Sequence, residues 1–155
     1  MELFEIGKII TEKDLNELET KLKVKFSMEY KAFLEKNNGG MPKEALGFRF
    51  IEKDIETQKT WEQGSDIHYF YNVDEMLEAY ENLTYECMIP NDYIPIACDS
   101  FGNNILLCLN LQKNYGGVFF ANHEIEKTNK GFDNISFVAN SFNEFLDSLY
   151  LIDFE

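Results

Sequence analysis

Cysteine and histidine are scarce in this chain of 155 residues, and each shortage closes off a class of protein. The three cysteines, Cys87, Cys98 and Cys108, form no Cys-x-x-Cys pair, and an odd number argues against a disulfide scaffold. Cys98 and Cys108 lie in apolar runs, where a free thiol behaves as a small hydrophobe, so a reduced, cytoplasmic setting is expected. His68 and His123 are the only histidines, and neither has a nucleophile beside it in sequence. His123-Glu124 opens like a zinc-binding helix, but Lys127 stands where the second histidine belongs. Asp99-Ser100-Phe101-Gly102-Asn103 lacks the alternating oxygen ligands and closing glutamate of a calcium loop. No glycine-rich phosphate loop occurs. The expectation is a protein with no catalytic residues, no metal and no cofactor. The surviving enzymatic alternative is a hydrolase pairing Cys98 or Cys108 with His68.

Positive charge is the other scarcity. Net charge is −14, and between Thr60 and Gln112 there is no Lys or Arg at all, whereas Glu62, Asp66, Asp74, Glu75, Glu78, Glu81, Glu86, Asp92 and Asp99 all fall there. Binding to nucleic acid or to anionic lipid depends on clustered cations, so neither is an expected partner. A basic protein would be attracted and steered instead. The plainer alternative is that the acids serve solubility alone. No apolar run is long enough to span a bilayer, and Met1-Glu2-Leu3-Phe4-Glu5 has neither the cationic nor the apolar part of a secretory signal.

What the chain has is core material. Hydrophobic content is 45% and aromatic content 15%, enough for one folded domain over residues 1–155. Thr11-x-x-Asp14 approximates a capping box ahead of a helix with Leu15, Leu18 and Leu22 on one face. Ser27 caps a second helix carrying Tyr30, Phe33 and Leu34, and Asn38-Gly39 is expected to end it as a C-cap. Leu46, Phe48 and Phe50 alternate as a strand does. Residues 52–66 are polar and aperiodic apart from Ile55 and Trp61, and read as an acidic excursion. Ile67, Tyr69 and Tyr71 alternate again. Asn72-x-x-Glu75 opens a third helix with Val73, Met76, Leu77, Tyr80 and Leu83 inward and Glu75, Glu78 and Glu81 outward. Pro90 and Pro95 confine the strand at Tyr93–Ala97 to an edge or an irregular entry. It forms a hairpin with Ile105–Leu109 through Gly102-Asn103-Asn104. Strands at Gly117–Ala121 and Ile135–Ala139 and a helix opened by Ser141-x-x-Glu144 complete the set. The predicted fold is α+β: one domain with a mainly antiparallel sheet of five or six strands and about four helices packed on one side.

Four pieces in order carry a family resemblance. Tyr30-x-x-Phe33-Leu34 is followed by Asn38-Gly39-Gly40. Next come Ile94-Pro95-Ile96-Ala97-x-Asp99 with Gly102-Asn103, then Gly116-x-Val118-Phe119 leading to His123-Glu124, and last Ser141-Phe142-x-x-Phe145-Leu146. In that order the chain resembles the SUKH superfamily of Smi/Knr-type domains along nearly its whole length. Phe26-Ser27 departs from the Leu-Pro usual before the first helix of the motif, and Ala121-Asn122 from the Trp-Asp usual before His-Glu. The resemblance implies a binding scaffold without cofactor or catalytic residues, and in bacterial members an immunity protein that neutralises a cognate toxin. A regulatory or scaffold module of the Smi/Knr type is the alternative. The acidity then suggests a basic, nuclease-like toxin as partner. Trp61, Glu62, Asp66, Glu75, Glu78, Glu81 and Asp99 are the candidate partner-binding residues, with Trp61 the apolar anchor unless it folds back onto the sheet. Asn38, Gly39, Gly40, Pro95, Gly102 and Asn103 are assigned to structure. Asp99 has a second reading, as an acceptor for backbone N–H groups in its own turn, which the local chemistry favours.

Overall fold

Helix starts follow the capping chemistry. A computed structural model describes residues 1–125 and 132–154. In α1 (Glu12–Leu22) the Thr11 hydroxyl accepts from Asp14 N–H while the Asp14 carboxylate accepts from Thr11 N–H, so aspartate closes the box as glutamate would. Ser27 caps α2 (Met28–Lys36) and Asn72 with Glu75 boxes α3 (Val73–Tyr85). Ser141 caps α4 (Phe142–Ser148), but the Glu144 carboxylate accepts from Asn140 N–H, one residue short of the expected box. One expectation fails at the other end of α2. Its C-cap is Asn37 in extended conformation, and Gly39 lies beyond it with φ +77°.

The described residues build two sheets. β1 (Leu3–Phe4) and β2 (Met41–Pro42) form a short antiparallel pair. The large antiparallel sheet contains β3 (Leu46–Lys53), β4 (Thr60–Asp66), β5 (Tyr69–Phe70), β6 (Tyr93–Cys98), β7 (Asn104–Cys108), β8 (Val118–Ala121), β9 (Ile135–Ala139) and β10 (Tyr150–Leu151). Its order is β10-β3-β9-β8-β7-β6-β5, with β4 paired to β3. The fold is α+β and antiparallel as expected, with eight strands in the sheet where five or six were predicted. The stretch 52–66 is the main correction. It is a regular hairpin arm, with β4 matched to β3 over seven residue pairs from Gly47↔Asp66 to Lys53↔Thr60. The hydrophobic alternation is missing because β4 is an exposed strand with little to bury. Pro95 sits in the last strand but one, where only Ala97 and Cys98 pair outward with β5, and a register shift follows it before Ala97.

Alternation along the inner strands sorts side chains onto two faces. One face carries Phe48, Phe50, Ile94, Ile96, Ile105, Leu107, Val118 and Phe120, packed with Leu15, Tyr30, Phe33, Leu34, Met76, Phe142 and Phe145 from the helices. Phe50 stacks on Phe120 with ring centroids 4.3 Å apart, and Phe142 meets Phe33 at 5.1 Å. Each fully buried aromatic contributes about 2–3 kcal/mol by transfer from water, so this cluster dominates stability. A smaller cluster of Ile89, Leu106 and Ala121 lies on the reverse face, covered by Tyr80 and Leu83 from the second half of α3.

Candidate functional site

Two motif turns are spent on holding the chain together. The Asn38 amide group donates to Lys8 O (2.9 Å) and its Oδ1 accepts from Val73 N–H (3.0 Å), joining the N-terminal arm to the start of α3. Gly40 and Phe70 exchange backbone bonds of 3.0 and 2.8 Å. Gly39 is glycine for two reasons. Its φ is left-handed, and a Cβ there would lie 2.5 Å from Asn72 N. The sequence shows the first reason; only the fold shows the second.

Asp99 leaves the set of candidate contacts. It is 2% exposed, and its Oδ1 accepts from the N–H groups of Phe101 (3.0 Å) and Asn103 (2.8 Å). Its Oδ2 accepts from Asn103 Nδ2 (2.9 Å) and Ser65 Oγ (2.7 Å). A carboxylate taken up by four internal donors offers nothing to a partner. Asp66 works beside it, accepting from Ser100 N–H (3.0 Å) and from the Ser100 hydroxyl. His123 orders the same loop: its N–H donates to Asn103 Oδ1 (3.0 Å) and its Nε2 meets Phe101 O at 2.8 Å. Sequence reasoning missed the product of this bracing. Phe101 is 73% exposed on a loop tied down at both of its own backbone groups. The available signal was a large aromatic inside a turn motif.

The remaining acids fall into two neighbourhoods. On β4, Trp61 is 40% exposed, and Glu62 pairs with Arg49 at 3.0 Å. Both ends of that pair are exposed, so it contributes about 0–1 kcal/mol. Asp66 stands five residues further along, about 16 Å from Trp61 at strand rise. On α3, Glu75 is partly used in the capping box, and Glu78 and Glu81 are exposed. Glu75 lines a cleft of about 300 Å³ with Glu5, His68 and Tyr69. Burial first, then Cys98 and the charges of Glu75 and Glu78, push the Tyr69 hydroxyl up to about 12.

The reverse face of the sheet holds aromatics that pattern reading did not single out. Tyr93 meets Phe119 at 5.3 Å, Phe119 meets Phe137 at 6.0 Å, and Phe137 lies opposite Ile51 across β9 and β3. Phe137 and Ile51 are 38% and 39% exposed. At the rim Tyr150 lies against Gly47, where a Cβ would stand 2.6 Å from its ring, and Arg49 sits 5.1 Å over that ring. These residues are far apart in sequence, and only the register assembles them.

The two buried thiols are poorly placed for nucleophilic chemistry. Cys98 and Cys108 are buried, and burial raises both above the ordinary thiol value, which disfavours the thiolate. His68 approaches Cys98 through its backbone, N–H to Cys98 O at 2.8 Å, and its ring packs edge-on to Tyr69. Among the described residues no group of three or more His, Cys, Asp or Glu side chains is placed to hold a metal ion, and no helix is long and apolar enough to cross a membrane.

These features define a class: an α+β domain whose motif residues brace its own turns while an edge strand, a loop tip and a sheet face are presented outward. The chain belongs to the SMI1 / KNR4 family (SUKH-1), whose model matches residues 9–148. It is similar to the SPbeta prophage-derived uncharacterized protein YokK of Bacillus subtilis (strain 168), 28% identical over 151 residues, covering 91% of this chain and 75% of that protein. SUKH domains are generally non-enzymatic domains of immunity type.

Proposed function

We infer that this chain is a cytoplasmic immunity protein, without catalysis of its own, that binds and blocks a cognate protein toxin. Membership of the SUKH-1 family over residues 9–148 is the observation that carries the reading. The charge distribution supports a basic partner, of which a nuclease toxin domain is the leading case, since its cleft for phosphate is cationic. Glu62, Glu78 and Glu81 are exposed within a stretch that contains no Lys or Arg from Thr60 to Gln112. A non-catalytic mode also fits the raised thiols, which lack the activation that a cysteine nucleophile needs.

The test is protection. Cells producing the cognate toxin domain should grow when the chain is co-produced and arrest when it is not. Purified chain should form a stoichiometric complex with that domain and abolish its activity without altering it covalently. Continued arrest in the presence of folded chain would refute the reading, as would protection that acts catalytically at well below one chain per toxin.

A further inference from the structure

The phase of the β3–β4 ladder determines which backbone groups of β4 are free. At one end Asp54 N–H donates to Lys59 O (2.8 Å), and at the other Ile67 N–H donates to Leu46 O (2.9 Å). Both pairs continue the register of the ladder between them. In an antiparallel ladder, opposed residues that exchange hydrogen bonds alternate with opposed residues that do not. Trp61, Gln63 and Ser65 therefore turn their N–H and C=O groups toward β3. Thr60, Glu62 and Gly64 turn theirs away, and among the described residues β3 is the strand that pairs with β4. The run Thr60–Gly64 is exposed throughout. Ser65 and Asp66 are held by the Asp99–Ser100 loop, so the open row stops at Gly64.

Natural edge strands are usually guarded by proline, lysine, a bulge or a cover. Thr60–Asp66 contains neither Pro nor Lys, and its seven pairs with β3 run without a register shift. Its only charges are Glu62 and Asp66. A second copy of a chain with net charge −14, added edge to edge, would set acid against acid. A cationic strand meets the opposite sign. Resting on the partner-binding reading above, we propose that β4 accepts an extended basic segment of the toxin as an added strand, through the outward groups of Thr60, Glu62 and Gly64. Alternation gives that segment its pattern. A Lys or Arg lies beside Glu62 on one face, displacing the exposed Arg49 pairing, and an apolar or small residue lies beside Trp61 on the other.

The experiment uses the full labelled chain and, as probe, a capped peptide about eight residues long that alternates lysine with threonine. Amide exchange is followed residue by residue by NMR. At saturating peptide, exchange at Thr60, Glu62 and Gly64 slows by about tenfold, while the same peptide methylated on alternate backbone nitrogens gives no slowing. Thr60→Pro removes one outward N–H and leaves the ladder to β3 intact, so it melts like wild type and binds the peptide about tenfold more weakly or worse. Unchanged exchange at all three amides in the wild-type chain overturns the proposal, whatever the variant does. So does equal binding of a peptide with glutamate in place of lysine. In the protection assay, rescue by Thr60→Pro equal to that of wild type overturns strand addition and leaves the immunity reading standing. Failure of wild type to protect removes the immunity reading, and the peptide experiment still decides the edge.

Discussion

Asp99→Ala should be among the most damaging single truncations outside the aromatic core. The carboxylate accepts four hydrogen bonds, from Phe101 N–H, Asn103 N–H, Asn103 Nδ2 and Ser65 Oγ. Phe101 and Ser65 lie close enough to solvent for water to replace what they lose. Asn103 is buried, so its N–H and its amide group are both left without an acceptor. At about 1–3 kcal/mol for each buried group, the loss is about 4 kcal/mol. For a chain of this size that lowers Tm by roughly 8–16 °C. Asp99→Asn keeps an oxygen for the two backbone donors but sets an NH₂ against Asn103 Nδ2, and should cost about 1–3 kcal/mol. Urea denaturation at neutral pH, with m unchanged between variants, measures both. A loss below about 1 kcal/mol for the alanine variant, or an asparagine variant as damaged as the alanine one, would show that the turn is not held as described. Under conditions where the variants remain folded, partner binding should be unaffected, because Asp99 has no surface to offer.

Other outcomes follow from the same geometry. The buried Tyr30 hydroxyl has no hydrogen-bond partner among the described residues, so Tyr30→Phe should be neutral or gain about 1 kcal/mol in urea denaturation, and a loss larger than that would reveal a hidden bond. A thiol reagent should modify exposed Cys87 in the native protein and reach buried Cys98 and Cys108 only on unfolding, so that fast labelling of all three under native conditions would contradict the packing. The Tyr69 hydroxyl is pushed up to about 12 and those of Tyr71 and Tyr93 are also raised, all chiefly by burial. Unfolded tyrosines titrate near 10, so this contribution to stability is complete below about pH 10 and is lost as pH rises toward 12, which alkaline denaturation followed by tyrosinate absorbance will record. In binding kinetics with the cognate toxin, the Glu75/Glu78/Glu81→Gln triple should slow association and flatten its salt dependence, while Trp61→Ala should speed dissociation by about 2 kcal/mol. Glutamine preserves the capping box at position 75, so the triple tests charge rather than helix stability. Salt-insensitive association, with both variants binding like wild type, would place the interface elsewhere.

Helix starts are legible in this sequence because a cap is a local bargain among four residues. Thr11–Asp14 and Asn72–Glu75 needed no tertiary partner to be recognised. The inner strands are legible because Leu46, Phe48 and Phe50, or Ile105 to Leu109, must bury what they carry. β4 is not, since Thr-Trp-Glu-Gln-Gly-Ser-Asp has no apolar period and is a strand only because β3 lies beside it. The role of Gly39 was half legible: its positive φ belongs to its own backbone, its crowding to Asn72. The Tyr93–Phe119–Phe137–Ile51 row could not be read at all, because register places residues together that the chain keeps apart. For Asp99 the turn reading that local chemistry favoured holds, with Phe101 and Asn103 N–H as donors, whereas the Ser65 hydroxyl that completes its shell comes from β4 and could not be read from the turn.

The exposure of Thr60–Gly64 bears on how such a protein changes over generations. Thr60, Glu62 and Gln63 are exposed and belong to neither hydrophobic cluster, so replacing their side chains, short of proline at Gln63, should alter stability by only about 0.5 kcal/mol or less. Mutations here avoid the usual toll that new recognition takes on folding, since the strand is held by backbone bonds that are indifferent to the side chains they carry. A lineage facing a rapidly diversifying antagonist could therefore explore this strip freely, one substitution at a time, without passing through variants that fail to fold.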